Sequence, residues 1–189
     1  MTVYNKMEEC LAGLNLEAHS QDTNWRVRYA AAVAMGESRD AKWLDTIERV
    51  YDLESKRSLY NQPPARFPGL AADETRLSEH IGPLKAVFPI PADEETKEAW
   101  RCRGRVKQAV LYAVYDIGAV SASMLAKLHE CLENATDDYC VIAAAARALG
   151  RVGNATSLEY LDKILAIDEW CTTTEAKKSI RILEHCGIK

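Results

Sequence analysis

The residue types best able to hold a metal or serve as nucleophile and base are few in this chain. They comprise four histidines, His19, His80, His129 and His185, and six cysteines, Cys10, Cys102, Cys131, Cys140, Cys171 and Cys186. Their spacing does not assemble a site. No CxxC pair occurs, and scattered cysteines without a secretory leader are expected as buried thiols of a reducing compartment, neither bridged nor metallated. Only His129 is followed by a glutamate, Glu130, whereas a first-row metal centre needs several N and O ligands converging, so His129 is expected as a surface residue of its helix. No Gly-x-Ser-x-Gly and no glycine-rich phosphate loop is present. The carboxylate pairs Glu94-Glu95 and Asp137-Asp138 fall where helices should start, and there the helix dipole accounts for them without catalysis. The expectation is a chain that needs no metal or organic cofactor and has no catalytic residues.

Binding chemistry is better represented. Arg101, Arg103, Arg105 and Lys107 place four positive charges in seven residues of a protein whose net charge is −4 and whose pI is near 5.6. One strip on an acidic chain falls short of the broad positive footprint of a nucleic-acid binder and fits an acidic protein partner or a solvated face. Trp43, with Arg39 and Lys42 before it, is the second feature. The expected partner surface therefore comprises Arg39, Lys42, Trp43, Phe67, Phe88, Trp100, Arg101, Arg103 and Arg105. Either Phe67 or Phe88 of the chain's own loop packs over Trp43, or a partner does, or Trp43 is a core residue at an irregular junction. The start of the chain, Met1-Thr2-Val3-Tyr4-Asn5-Lys6, lacks a positive region followed by an apolar run, and no segment reaches membrane-spanning length. A cytoplasmic protein is the expectation.

The elements that carry these residues are legible as a repeat. In 138–153 the residues Val141, Ala144, Ala145, Ala148, Leu149 and Val152 recur at the spacing of one helix face, with Asp138 as cap and Gly153 as a left-handed terminator. A second helix follows, with Leu158, Leu161, Ile164 and Leu165 on one side. The same hairpin stands near the start of the chain: Val27 matches Val141, Met35 matches Leu149, Gly36 matches Gly150, and Leu44 and Ile47 match Leu158 and Leu161 without a gap. A third copy runs from Val106 to Gly118, 35 residues before Val141 to Gly153. One further period lands on Ala176, Ser179 and Leu183, a closing helix over 173–187 capped by Thr173. The expected core comprises Val27, Ala30, Ala31, Ala34, Leu44, Ile47, Val106, Ala109, Ala113, Val114, Val141, Ala144, Ala145, Ala148, Leu149, Leu158, Leu161 and Leu183.

The motifs Val-Arg-x-Ala-Ala-x-x-Ala-Met-Gly and Val-x-Ala-Ala-Ala-Ala-Arg-Ala-Leu-Gly resemble HEAT repeats of the short bacterial, phycobilisome-lyase-like kind. The resemblance implies an all-α fold, a right-handed α-α superhelix of about four to five hairpins in one domain over 1–189. Repeats lie near 22–53, 101–134 and 138–167. The interval from Val27 to Val106 exceeds two periods and holds every proline of the chain, Pro63, Pro64, Pro68, Pro83, Pro89 and Pro91, so one repeat is degenerate there and 55–92 is an irregular insertion. Helix is expected to resume from about Asp93 and run toward Gly118. Proteins of this kind line a concave face with their second helices. The function implied is a non-enzymatic protein-binding scaffold or adaptor using that face and the proline-rich loop, the alternative being a nucleic-acid-binding or bilin lyase-like repeat protein.

Overall fold

The computed structural model describes residues 15–56, 104–135, 137, 139–167 and 169–188. These form eight α-helices, with no strand among the described residues: α1 Leu16–His19, α2 Trp25–Glu37, α3 Leu44–Lys56, α4 Arg105–Ile117, α5 Ala122–Asn134, α6 Tyr139–Val152, α7 Ala155–Ile164 and α8 Trp170–His185. A 3-10 turn, Ala41–Trp43, leads into α3. Helix α1, four residues long and ahead of α2, is an addition to the elements expected from sequence.

Polar residues start these helices by the usual chemistry. Asn24, Ser121 and Asn154 accept backbone N–H groups at the first turns of α2, α5 and α7, and Asp40 does so for the 3-10 turn. Glu169 takes the N–H groups of Cys171 and Thr172, so α8 starts at Trp170, ahead of the Thr173 expected as its cap. Gly104 and Gly118 bracket α4, both left-handed at φ 67° and 71°. Gly153 is not left-handed, contrary to expectation. It is glycine for space, because a Cβ there would collide with the Leu149 carbonyl oxygen and the Ser157 side chain.

The first helices of the hairpins make a row, α2 against α4, α4 against α6, α6 against α8, while α3 packs on α4, α5 on α6 and α7 on both α5 and α8. Small residues let the row close. A Cβ on Gly36 would stand 2.7 Å from the Ala113 Cα, and one on Gly150 would stand 2.8 Å from the Ser179 Cβ. The 35-residue register reappears in burial: Val106, Val141 and Ala176 are all fully enclosed, as are Ala109, Ala144 and Ser179. The first copy departs from it. Val27 and Ala34 are half-buried and Ala30 is exposed, whereas their counterparts Val141, Ala148 and Ala144 are fully buried. Leu44 and Leu158 are half-buried as well. The cause for α2 is position: α6 lies between α4 and α8 and is covered on two flanks, while α2 packs mainly on α4 and on the four-residue α1, and α3 reaches it through the Arg28–Glu54 pair.

One register position carries a buried cation that periodicity alone did not reveal. Arg28 in α2 and Lys107 in α4 align with Ile142 in α6, and all three are buried. Arg28 Nε donates to Glu54 Oε1 at 2.7 Å, and its Nη1 donates to the carbonyls of Asp22 and Thr23. Lys107 Nζ donates to Asp137 Oδ2 at 2.6 Å and lies 4.7 Å from the Tyr51 ring centre. Each cation thus ties its first helix to the end of a second helix or the turn beyond it.

Candidate functional site

Two clusters have the residue types of catalysis, and geometry disposes of both. His129 Nε2 lies 2.8 Å from Ser157 Oγ, the separation of a base and its nucleophile. The histidine is therefore not the free surface residue expected; it is half-buried and stacked on Tyr160 with ring centres 4.5 Å apart. Ser157, however, is fully buried, and its Oγ accepts the Asn154 N–H at 3.0 Å as half of the capping box that starts α7. A hydroxyl committed to a helix cap and closed to substrate does not attack anything. Burial also lowers the His129 pKa from its ordinary value.

The second cluster joins Tyr51, Lys107, Cys131 and Asp137. Cys131 Sγ points at Asp137 Oδ2 at 3.7 Å, and burial, reinforced by the Asp137 charge, pushes the thiol up to about 12. It stays protonated, the opposite of what a nucleophilic cysteine needs. Burial likewise raises the Tyr51 phenol far above its ordinary range. Only this cysteine among the four described matches the expectation of buried thiols, since Cys140, Cys171 and Cys186 are exposed. Among the described residues no three His, Cys, Asp or Glu side chains converge as a metal centre would require, and no helix is long and apolar enough to cross a membrane.

What remains is a groove of about 300 Å³ on the outer side of α2 and α4, reached by α6. Val33, Ala109 and Ala113 form its floor, Tyr29, Tyr112 and Tyr115 its walls, and Glu37, Asp116 and Arg147 its rim. Helical spacing explains the set: Tyr29, Val33 and Glu37 follow at i, i+4 and i+8 on α2, and Ala109, Tyr112, Ala113 and Asp116 at i, i+3, i+4 and i+7 on α4. The close approach at Gly36 holds the two stripes side by side. Tyr115 occupies the register position that is glycine in α2 and α6, so a phenol projects there where those two copies have no side chain. The Arg147 guanidinium lies 4.6 Å from the Tyr115 ring centre and 5.5 Å from that of Tyr112. Arg151 covers Tyr115 at 5.3 Å and rests against Gly118, where a Cβ would stand 2.7 Å from its Nε. Tyr29 and Tyr112 are 40% and 36% exposed. Among the described residues the side chains of Glu37, Asp116 and the three tyrosines are engaged in no hydrogen bond or ion pair, so their polar groups face solvent uncommitted.

The residues singled out from sequence lie elsewhere. Phe67, Phe88, Trp100, Arg101 and Arg103 fall outside the described residues, as does the insertion expected over 55–92 from residue 57 on, while its first two residues, Ser55 and Lys56, end α3 as helix. Arg39 is exposed and left-handed at φ 52°, and Arg105 is exposed at the first turn of α4. Lys42 Nζ pairs with Asp40 Oδ2 at 2.8 Å and lies 5.1 Å from the Trp43 ring centre. Trp43 itself is half-buried and packs on the core. Its counterpart Ser157 is fully buried beside His129 and Tyr160, so this position faces inward in both copies. The structure does not bring Trp43 into the tyrosine groove. The groove escaped the sequence reading because its walls come from two copies whose tyrosines occupy different register positions; a helical wheel of α4 with Tyr112 and Asp116 on one exposed stripe was the available signal. Comparison with protein-family profiles, curated proteins and solved structures finds no match for the chain.

Proposed function

We propose that the chain is a HEAT-like helical-repeat protein, a right-handed α-α superhelix, that works as a non-enzymatic adaptor by binding a partner protein. The consecutive packing of α2, α4, α6 and α8 and the shared 35-residue register support the architecture. The observation that carries the binding role is the groove itself, because three tyrosines and an arginine at a surface cleft are the side chains that most often anchor protein interfaces. This reading moves the partner surface from the second helices, where the resemblance puts it, to the first. The exposed thiols of Cys140, Cys171 and Cys186 suit work in a reducing compartment such as the cytoplasm.

The test is affinity capture with wild type beside the double variant Tyr29→Ala/Tyr112→Ala, followed by titration of the captured protein in purified form. Both tyrosines are more than a third exposed, so the variant should keep the wild-type fold. The expected result is a partner retained by wild type whose Kd rises about tenfold or more in the variant. Equal affinity for both proteins would contradict the assignment.

A further inference from the structure

We propose that the groove between α2 and α4 receives one long basic side chain, a lysine or arginine projecting from the partner protein. The inference rests on the binding role above and specifies its chemistry. At about 300 Å³ the groove lies at the small end of ligand sites, which suits a side chain and excludes a helix. Its floor, Val33, Ala109 and Ala113, offers an aliphatic stem a dry seat. Tyr112 and Tyr115 already carry Arg147 and Arg151, whereas Tyr29 carries no cation among the described residues, so its face can attract one passing over it.

Charge fixes the sign of the guest. Glu37 is the last residue of α2 and Asp116 stands in the last turn of α4, so two uncommitted carboxylates and the negative ends of two helix dipoles meet on one rim. They occupy the same register position in their two helices. The third occupant of that position is Arg151, which leaves the groove and lies against Gly118. The one cation of the rim, Arg147, is held over the rings of Tyr112 and Tyr115 and forms no ion pair with either carboxylate. Among the lining residues two uncommitted carboxylates and two helix C-termini stand against the single guanidinium of Arg147, with Arg151 held over Tyr115 beside them, and this balance favours a positive guest, opposite in sign to the acidic partner expected of the strip around Arg39 and Arg105.

The experiment is an NMR titration of the ¹⁵N-labelled full chain with three blocked amino acids, Nα-acetyl-lysine N-methylamide and its norleucine and glutamate counterparts. The lysine derivative is expected to give saturable shifts at the amides of Glu37, Ala113 and Asp116 in the millimolar range, about fivefold tighter than norleucine, with the difference falling as salt rises. In the variant Glu37→Gln/Asp116→Asn, whose substituted groups bond nothing among the described residues, lysine should fall to the norleucine level while the helical spectrum is unchanged. Preferential shifts from the glutamate derivative, equal response to lysine and norleucine, or no response to any of the three would overturn the proposal. If lysine fails but Tyr29→Ala/Tyr112→Ala still loses the captured partner, the groove remains the binding site and only the basic guest is removed; if the partner is also kept, both readings fall.

Discussion

Single side chains in this protein divide into those that hold helices together through hydrogen bonds and those that make none among the described residues. Arg28 belongs to the first kind. Its guanidinium is 2% exposed and reaches a Glu54 carboxylate that is fully enclosed. Arg28→Leu removes the cation and leaves that carboxylate buried without it, so a loss of about 3–5 kcal/mol is expected in urea unfolding. A loss below about 1 kcal/mol would mean that Glu54 is not buried as described. Glu48 makes a pH-dependent contribution of the same kind. Burial works to raise its pKa, but hydrogen bonds from Lys127, Ser123 and Ser121 outweigh it and hold the group at about 2, below the ordinary 4.5. The unfolded chain takes up that proton first on acidification, so the stabilisation is whole above pH 4.5 and disappears as pH falls toward 2. Glu48→Gln should therefore flatten the acid limb of stability between those values, and parallel limbs for variant and wild type would exclude the assigned contacts. Thiol reactivity sorts the described cysteines in the same way. Cys171 and Cys186 should label with a thiol reagent in the native protein, whereas Cys131, fully desolvated, should label only on unfolding.

At the scale of elements, the helix crossings decide what the chain tolerates. Gly36→Val places a branched side chain against the Ala113 backbone, which cannot yield as a flexible side chain would. We expect a cost of about 2 kcal/mol, read from the denaturant midpoint, and no change in midpoint would show that α2 and α4 do not meet at this glycine. Helices α2 to α8 were largely legible from sequence, because apolar spacing and small residues dictate which face must be covered. Their starts were less so: α8 begins at Trp170 through the Glu169 carboxylate, a cap that neither spacing nor the favoured cap residues indicate. Burial in the first copy was misjudged at Ala30 because period reports the faces of a helix but not how many neighbours cover it. The groove was the least legible part. Trp43 stands out by composition, yet it packs on the core, while the two main walls of the groove come from residues 72 and more apart in sequence, such as Tyr29 and Ala109 or Val33 and Ala113, that only the α2–α4 crossing brings together.

For the whole molecule, α2, α4, α6 and α8 pack in a row, and the copies differ at equivalent positions. Val33, Tyr112, Arg147 and Ile182 share a register position, and Tyr112 and Ile182 are 36% and 46% exposed. A repeat scaffold that varies such positions while conserving its packing positions changes its ligand without changing its fold. The account therefore stands or falls on where a partner sits. The direct measurement is hydrogen–deuterium exchange of the full chain with and without the protein recovered by capture. We expect slowed exchange in peptides covering 29–37 and 109–116, the two helix stripes that wall the groove, with 41–56 unchanged. Slowing confined to the Arg39 to Trp43 turn and the start of α4, with the groove peptides exchanging as in the free protein, would contradict it.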